Sequence, residues 1–342
     1  MDDPAGGSGT VRFVSTGSLP SSAQARALLS EARDLFAAET GGAVSTVYPA
    51  LALADPGRFG LAVVATEGWS AVAGDAQEPF ALMSVVKPFT YAVLCDALGP
   101  DAARACVGAN ATGRAFNSLA AVEAAPGGRT NPMVNAGAIA TVSHLPGADP
   151  GERAGHVVAA LSRYAGHPLA VDEHLLASAA ATNFRNRALA DALRGLGALG
   201  SDPDEAVQLY TVLCCLTVTT RDLAVMGATL ADAGVNPLTG EQVTTLETCR
   251  AVLAAMTTAG MYETSGDWLH DVGLPGKSGI AGGILTVAPG KGALATWSPP
   301  LDAAGNSVRG QLAAAWLSRT LGLDLFASAP PGDVPGGSAA AS

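Results

Sequence analysis

Two residues that could do chemistry together, Ser84 and Lys87, lie three positions apart just before an apolar run, 91–98, that predicts a helix. Residues three apart on a helix share a face, so the amine of Lys87 could reach the hydroxyl of Ser84. A serine becomes a good nucleophile when a neighbouring base removes its proton, and a lysine shielded from water can be that base. The structural alternative is a capping serine, since serine is common at helix starts.

The scarcity of lysine favours the catalytic interpretation. The chain has 19 lysine and arginine residues, but only Lys87, Lys277 and Lys291 are lysines. Arginine cannot deprotonate in a protein, so it cannot replace a lysine that must accept a proton. An S-x-x-K pair heading a buried helix is typical of serine β-lactamases and penicillin-binding proteins. Lys277 precedes Ser-Gly, a second recognisable chemical context, whereas Lys291 lies in a Pro-Gly-Lys-Gly turn and is expected to be solvated.

Amides and phenols add groups that could complete a site. Asn135 heads an apolar Ala-Gly-Ala-Ile run, where an amide is costly to bury unless it binds something. Asn131 precedes a proline and predicts a turn instead. Tyr210 and Tyr262 could each be core residues, but beside a Ser/Lys pair a phenol is a plausible proton relay.

Composition limits the class of protein. With 342 residues, 49% of them hydrophobic and 14% charged, the chain can form one large domain or two interleaved ones. The formal net charge of −11 argues against nucleic acid or an anionic membrane as a partner.

Cysteine and histidine usage predicts a cytoplasmic protein without a metal. The five cysteines show no pairing pattern, which fits a reducing compartment. The five histidines never come at metal-ligand spacing, so neither a metal site nor a cofactor is predicted. The start of the chain lacks the pattern of a signal peptide, and no apolar run reaches transmembrane length.

The elements that must position these residues follow a simple arrangement. Strand patterns occur only near the two ends of the chain, as hairpins over 61–74 and 284–298, and a long helical block separates them. Helices over 21–39 and 307–321 flank them. We therefore predict an α/β (α+β) fold: one antiparallel sheet built from both chain ends, covered by helices, with an inserted all-helical domain.

Domain boundaries follow from the same arrangement. The predicted segments are a disordered start at 1–20, a sheet domain at 21–100 plus 262–326, a helical domain at 101–261 and a disordered tail at 327–342. Ser84 then falls where the sheet meets the helical block, and clefts tend to form at such junctions. Lys277 is expected just before a strand that runs along the same cleft.

Longer motifs around these residues resemble the serine-dependent glutaminase family. The likeness extends from about residue 25 to 322 and rests on Ser84-Val-Val-Lys87-Pro88, NPMVNAGAI (131–139), Arg185-Asn186, Tyr210-x-x-x-Cys214, GATLADAGVNPLTG (227–240), Gly260-Met261-Tyr262, GLPGKSGIAGGI (273–284) and SPPLDAAGNSVRG (298–310). The resemblance implies a serine β-lactamase/DD-peptidase-like fold and a homo-oligomer, a dimer or a tetramer.

The resemblance also implies roles for single residues. Ser84 would be the nucleophile on a side-chain amide and Lys87 its general base. Tyr262 and Tyr210 would line the reacting centre, with Tyr262 as the proton donor to departing ammonia. Backbone N–H groups of Ser84 and Ile280 would form an oxyanion hole. The substrate-binding set implied is Asn135, Asn186, Tyr210, Tyr262 and Ile280, with the two asparagines and Tyr210 at the α-carboxylate.

Three positions depart from the family pattern in the same direction. Val47 stands where the family has a tyrosine, with Tyr48 one place late; Met83 replaces a glutamine, and Ala179 replaces a glutamate. In the family these positions surround the α-amino group of glutamine, and here all three are apolar. A fourth departure, at 110–113, replaces a Glu-Pro-Ser-Gly loop with Asn-Ala-Thr-Gly.

The leading interpretation is a serine amidohydrolase that releases ammonia from L-glutamine or a glutamine-like small molecule through an acyl-enzyme. One alternative is a deamidase for an N-substituted or larger carboxamide, which the three apolar departures favour. Another is a catalytically idle homologue that binds a ligand, which the intact Ser84 and Lys87 oppose. No nucleic acid or membrane partner is expected.

Overall fold

The computed structural model describes residues 19–327, so the disordered ends predicted at 1–20 and 327–342 lie almost entirely outside it. Within the described residues the chain forms thirteen α-helices and seven β-strands. The helices, α1 to α13, are Ser22–Phe36, Lys87–Leu98, Pro100–Val107, Leu119–Ala124, Asn135–Ser143, Pro150–Ala165, Glu173–Thr182, Phe184–Gly195, Pro203–Cys214, Thr220–Ala231, Leu246–Ala259, Ser265–Val272 and Val308–Thr320. The strands, β1 to β7, are Gly60–Ala65, Ser70–Gly74, Phe80–Ala81, Thr217–Val218, Gly276–Ser278, Gly283–Ala288 and Gly292–Trp297.

The main sheet joins the two ends of the chain, as the sequence predicted. Its strand order is β2-β1-β7-β6-β5, and every neighbouring pair is antiparallel. The central pair, β1 and β7, brings an early strand against a late one, with Gly60 opposite Trp297. A separate two-stranded pair joins β3 to β4. The fold class is therefore the predicted mixture of an antiparallel sheet and many helices.

Successive side chains of the main sheet point to opposite faces and contribute to two separate hydrophobic cores. The fold therefore has three layers, with the sheet between two layers of helices. Leu61 and Val63 of β1 pack with α1, α12 and α13, while Ala62 and Val64 pack with α10 and the helical block. This alternation follows from the two-residue period of a strand. On the second face, Gly227 of α10 lies so near the sheet that a Cβ there would come within 2.4 Å of Leu285 Cδ1. The helix can approach the sheet closely because this residue has no side chain.

Local signals explain the ends of the elements, with small differences from the sequence prediction. Helix α1 begins after Ser21, whose side chain forms a capping box with Gln24, and it ends at Phe36, three residues before the predicted end. Lys277 lies inside the short strand β5, and the next strand, β6, begins only at Gly283. Strands β3, β4 and β5 have only two or three residues, too few to show an alternating pattern in sequence.

The helical block carries most of the candidate site. Helices α5, α8 and α9 pack on one another, and α9 also contacts the short 3-10 helix Met83–Val86 that leads into α2. Helix α10 lies within the predicted helical segment 101–261 but packs against β1, β6 and β7. None of the helices described in 19–327 has the length and apolarity needed to cross a bilayer.

Candidate active site

The turn that presents Ser84 is built under strain. Ser84 lies in the 3-10 helix Met83–Val86, and α2 starts directly afterwards at Lys87. Met83 has a φ of 46°, a left-handed conformation that is unfavourable for a residue with a side chain. Such strain persists only where the surrounding structure enforces it, and it concentrates at functional sites. The strained residue directly precedes the predicted nucleophile.

Lys87 makes the contact that the spacing predicted. Its Nζ donates to Ser84 Oγ at 2.8 Å and to Asn135 Oδ1 at 2.9 Å. The side chain is fully buried, and this burial lowers the pKa of Lys87 to about 7. Desolvation disfavours the ammonium, so a large fraction of the side chain is a neutral amine near neutral pH. A neutral amine 2.8 Å from a serine hydroxyl can accept its proton.

A chain of amide hydrogen bonds fixes the orientation of Asn135. Asn135 Nδ2 donates to Asn186 Oδ1 at 3.0 Å, and Asn186 Nδ2 donates to Asn183 Oδ1 at 2.6 Å. Asn183 Nδ2 then donates to Thr211 Oγ1 at 2.6 Å. The Thr211 hydroxyl donates its proton to the Val207 backbone oxygen and must therefore accept from Asn183. This anchor sets the direction of the chain, so the Asn135 carbonyl oxygen points toward Lys87.

Asn183 and Thr211 were not among the residues predicted from sequence. One local signal pointed to Asn183, since it lies three residues before Asn186 and at the start of the same helix. Thr211 gave no such signal, because its partner is 28 residues away in the chain. Both side chains are buried and line the cavity.

Two buried phenols complete the centre. The Tyr262 hydroxyl donates to the backbone oxygen of Ser278 at 3.2 Å, and burial raises the pKa of Tyr262 to about 12, so the phenol stays protonated at neutral pH. The Tyr210 hydroxyl donates to Asn135 Oδ1 at 3.4 Å, and burial raises its pKa as well. Tyr262 also has a left-handed φ of 59°. Two of the three non-glycine residues with positive φ in 19–327 are therefore Met83 and Tyr262, both at this centre.

Lys277 supports the centre from β5. Its buried Nζ donates to the backbone oxygens of Gly260 and Ser278, at 2.9 and 2.6 Å, and lies 4.2 Å from the centroid of the Tyr262 ring. Burial, with the nearby charge of Lys87, lowers the pKa of Lys277. The contacts hold the start of β5 against the segment that carries Tyr262.

Two backbone N–H groups point to an oxyanion site. Within residues 19–327, neither Ser84 N–H nor Ile280 N–H has a hydrogen-bond acceptor in the protein. The Ser84 N–H is at the start of its helix, where an N–H lacks an intrahelical acceptor. Gly279 lies against this turn, and a Cβ there would come within 2.8 Å of the Leu82 oxygen and 3.3 Å of Ser84 N. A backbone this close requires glycine.

Replacing Gly279 by alanine is expected to lower kcat for acyl transfer at Ser84 by about 10²-fold or more. The added Cβ would push the Ile280 N–H away from Ser84, and loss of one oxyanion donor in other hydrolases costs about 10²–10³ in kcat. Steady-state assays measure the effect, and circular dichroism checks the fold. The matched control is Gly155→Ala in α6, where a Cβ meets nothing within 4 Å. Full activity in Gly279→Ala would contradict the assignment.

A cavity of about 290 Å³ opens above Ser84. It is lined by Val47, Tyr48, Met83, Ser84, Phe116, Asn117, Asn135, Thr182, Asn183, Phe184, Arg185, Asn186, Tyr210, Thr211, Cys214 and Ile280. The structure thus brings together most of the residues predicted from sequence. Lys87 and Tyr262 are not among the lining residues, although Lys87 contacts Ser84 directly. Ala179 does not line the cavity either, because it is fully buried in α7 and its single methyl group does not reach the cavity wall.

Two other chemistries are less suited to this cavity. Cys214 lines it, but burial raises the pKa of its thiol to about 11, and a protonated thiol is a poor nucleophile. In the part of the chain that the structure describes, no group of three or more histidine, cysteine, aspartate and glutamate side chains is placed to hold a metal ion. The arrangement of serine, amine, phenol and two N–H donors fits acyl transfer.

Comparisons with known proteins agree with this chemistry. The family model described as Glutaminase matches residues 42–326. A protein named Glutaminase 2 from Yersinia pestis is 54% identical over 322 residues, which are 94% of this chain and 95% of that protein. A glutaminase from Mycobacterium ulcerans is 48% identical over 286 residues, covering 84% of this chain and 89% of its own.

Solved structures give the same result. Probable glutaminase ybaS superposes with a TM-score of 0.89 at 39% identity, covering 90% of this chain and 100% of that one. The Bacillus subtilis glutaminase YbgJ, solved as a covalent complex with 5-oxo-L-norleucine formed by reaction with 6-diazo-5-oxo-L-norleucine, superposes with a TM-score of 0.79 at 28% identity. That match covers 89% of this chain and 99% of that one.

Proposed function

This chain belongs to the glutaminase family, and from that premise we propose that Ser84, Lys87 and Tyr262 carry out its reaction, the hydrolysis of the glutamine side-chain amide to glutamate and ammonia. The fold is the serine β-lactamase-like fold of its structural neighbours. The single observation that carries the proposal is the 2.8 Å contact between Ser84 Oγ and the buried amine of Lys87.

In the first half-reaction, Ser84 Oγ attacks the amide carbon while Lys87 takes the hydroxyl proton. A C–O bond forms and the carbonyl electrons move onto oxygen, where the N–H groups of Ser84 and Ile280 stabilise the developing charge. The C–N bond then breaks as the Tyr262 phenol gives its proton to the departing nitrogen. Lys87 returns a proton to the phenol, and a glutamyl ester of Ser84 and free ammonia result.

In the second half-reaction, water replaces ammonia. Lys87 takes a proton from water, the hydroxide oxygen attacks the ester carbon, and the bond between that carbon and Ser84 Oγ breaks. The proton returns to Ser84, and glutamate leaves. The covalent complex of YbgJ with 5-oxo-L-norleucine supports covalent catalysis, because it shows that a relative has a nucleophile that forms a covalent adduct.

The substrate carboxylate is proposed to bind at the amide chain. Asn135 and Asn186 each use one of their two N–H groups in that chain, and each keeps one for a ligand. Tyr210 orients Asn135 from the other side. This arrangement supports the predicted role of the three residues.

The pH dependence of ammonia release tests the proposal. Lys87 must be neutral to act as a base, so kcat/KM is expected to rise about tenfold per pH unit below its pKa of about 7 and to level off above it. Tyr262, with a pKa of about 12, stays protonated throughout this range. Rates measured from pH 5.5 to 9 would reveal the expected rise in kcat/KM at acid pH, and circular dichroism at each pH would serve as the control. A flat profile across neutral pH would rule out Lys87 as the base.

Three broader expectations stay proposals. A dimer or tetramer is inferred from the family and is measured by light scattering. A cytoplasmic location is supported by five free cysteines in the described chain. The division into a sheet domain (21–100 plus 262–326) and a helical domain (101–261) is supported by the origin of the main sheet's strands, although α10 packs on that sheet.

A further inference from the structure

The cavity above Ser84 offers positive charge and no negative charge. Of its sixteen lining residues, Arg185 is the only one with an ionised side chain at neutral pH, and none is an aspartate or glutamate. The amine of Lys87 lies directly behind Ser84. Among the described residues, therefore, no carboxylate lines the site to receive a cation. A ligand with an anionic group and no cationic group matches this charge distribution best.

Donors for a carboxylate are present in excess. Besides the free N–H groups of Asn135 and Asn186, Arg185 carries a guanidinium of which only Nε is engaged, at 3.3 Å from the backbone oxygen of Asn117. The fork of N–H donors on arginine matches the two oxygens of a carboxylate. The α-carboxylate of a glutamine-type substrate therefore has enough hydrogen-bond donors in the cavity.

An α-ammonium has no comparable partner. Val47 and Met83 line the cavity with uncharged apolar side chains, of which only the Met83 thioether can accept a hydrogen bond, and only weakly. Tyr48 also lines it, but burial raises the pKa of this phenol, so it stays uncharged. Moving an ammonium out of water without an anionic partner is unfavourable. Free glutamine is a zwitterion and must meet that cost.

Apolar side chains are exposed at the edge of the same cavity. Phe184 is 73% exposed and Val47 is 58% exposed, and both are among the lining residues. They come from different parts of the chain, and a ligand group that covered both would remove apolar surface from water. An acyl substituent on the α-nitrogen has the apolar chemistry to do so.

We infer that the preferred substrate of this site is a glutamine whose α-nitrogen is acylated and whose α-carboxylate is free. The inference rests on the proposed function, because the same amide bond is hydrolysed by the same residues. Acylation removes the ammonium, leaves a monoanion that suits Arg185, and supplies an apolar group for Phe184. An N-acylglutamine and a short peptide ending in glutamine both carry this chemistry.

Ammonia release from the wild-type protein provides the first test. The substrates are L-glutamine, N-acetyl-L-glutamine, N-hexanoyl-L-glutamine and N-acetyl-alanyl-glutamine. The expected kcat/KM of the acylated compounds exceeds that of L-glutamine by about tenfold or more, because removing a buried charge is worth at least that factor. If kcat/KM is higher for N-hexanoyl-L-glutamine, the preferred substrate is an N-acylglutamine. If kcat/KM is higher for N-acetyl-alanyl-glutamine, the preferred substrate is a peptide that ends in glutamine.

Substitutions at the cavity edge provide the second test. Val47→Glu places a carboxylate at an exposed position, so the ratio of acylated to free substrate is expected to fall about tenfold or more. Val47→Gln has the same shape without the charge and isolates the electrostatic effect. Phe184→Ala is expected to lower kcat/KM for N-hexanoyl-L-glutamine more than for L-glutamine. Phe326→Ala is its matched control, because Phe326 lies outside the cavity and has a similar exposure of 68%.

The outcomes separate this inference from the proposed function. The substrate inference would be overturned if kcat/KM for L-glutamine equalled or exceeded that for the acylated compounds and if Val47→Glu and Val47→Gln behaved alike. The glutaminase reaction would remain intact in that case. Loss of that activity in Tyr48→Phe would then identify the phenol as the ammonium partner. A folded protein that releases ammonia from none of the four compounds would instead overturn the proposed function.

Discussion

Ser84→Ala is expected to lower the rate of ammonia release by about 10⁴-fold or more and to leave the fold unchanged. The variant lacks the oxygen that forms the ester in the proposed reaction, and loss of the nucleophile in a serine hydrolase costs more than about 10⁴ in kcat. The folded state loses one hydrogen bond with Lys87, worth about 1 kcal/mol. Steady-state kinetics measure the first effect, and thermal unfolding measures the second.

Two controls make this result specific to covalent catalysis. Ser318→Ala removes another buried serine hydroxyl, in α13 and outside the cavity, and should keep full activity. Acid quenching of the wild type during turnover should trap a protein whose mass has increased by one glutamyl group, and Ser84→Ala should show no such species. If Ser84→Ala kept more than about one hundredth of the wild-type rate, the mechanism would not pass through a serine ester.

The pair of Ser84 and Lys87 was predictable because its geometry is local. The two residues are three positions apart in helical backbone, which fixes the distance between their side chains. The apolar residues that follow Lys87 in the sequence indicated that the lysine would be buried. The main sheet was predictable for a similar reason, since both hairpins have clear strand patterns. Their pairing across β1 and β7 then follows from the need to bury both apolar faces.

The support around the pair was not predictable from periodicity. The chain from Asn135 through Asn186 and Asn183 to Thr211 joins three helices. Its links from Asn135 to Asn186 and from Asn183 to Thr211 span 51 and 28 residues, and no local rule connects such distant positions. The left-handed φ of Met83 is imposed by tertiary contacts and leaves no mark on residue type. The resemblance to a family assigned roles to single residues, but it did not reveal that Ala179 is too short and too buried to reach the cavity.

Lys87→Arg is expected to lower kcat by about 10³-fold or more, although it keeps a positive charge beside Ser84. Arginine cannot give up its proton at usable pH, so it cannot accept one from the serine. General-base catalysis alone is worth about 10²–10⁴. The acid limb of the pH profile should disappear in this variant. Near-normal activity would show that residue 87 only positions charge, and the base would then have to be Tyr262.

Lys87→Met separates loss of the base from loss of the fold, because it fills a fully buried site with an apolar chain of similar length. The folded pKa of Lys87, about 7, lies below the value of about 10.4 for a free lysine, so between these values the unfolded chain binds more protons. The free energy of unfolding of the wild type should therefore rise with pH above about 7, by up to about 1.4 kcal/mol per pH unit from this residue. Lys277 has a shift of the same sign and is present in both proteins, but part of that shift comes from the charge of Lys87, so the difference between their slopes reports Lys87 together with its coupling to Lys277. Denaturant unfolding from about pH 7 to 8.5 measures the slope of the unfolding free energy with pH for both proteins. Identical slopes in wild type and Lys87→Met would mean that Lys87 keeps its proton in the folded protein and cannot be the base.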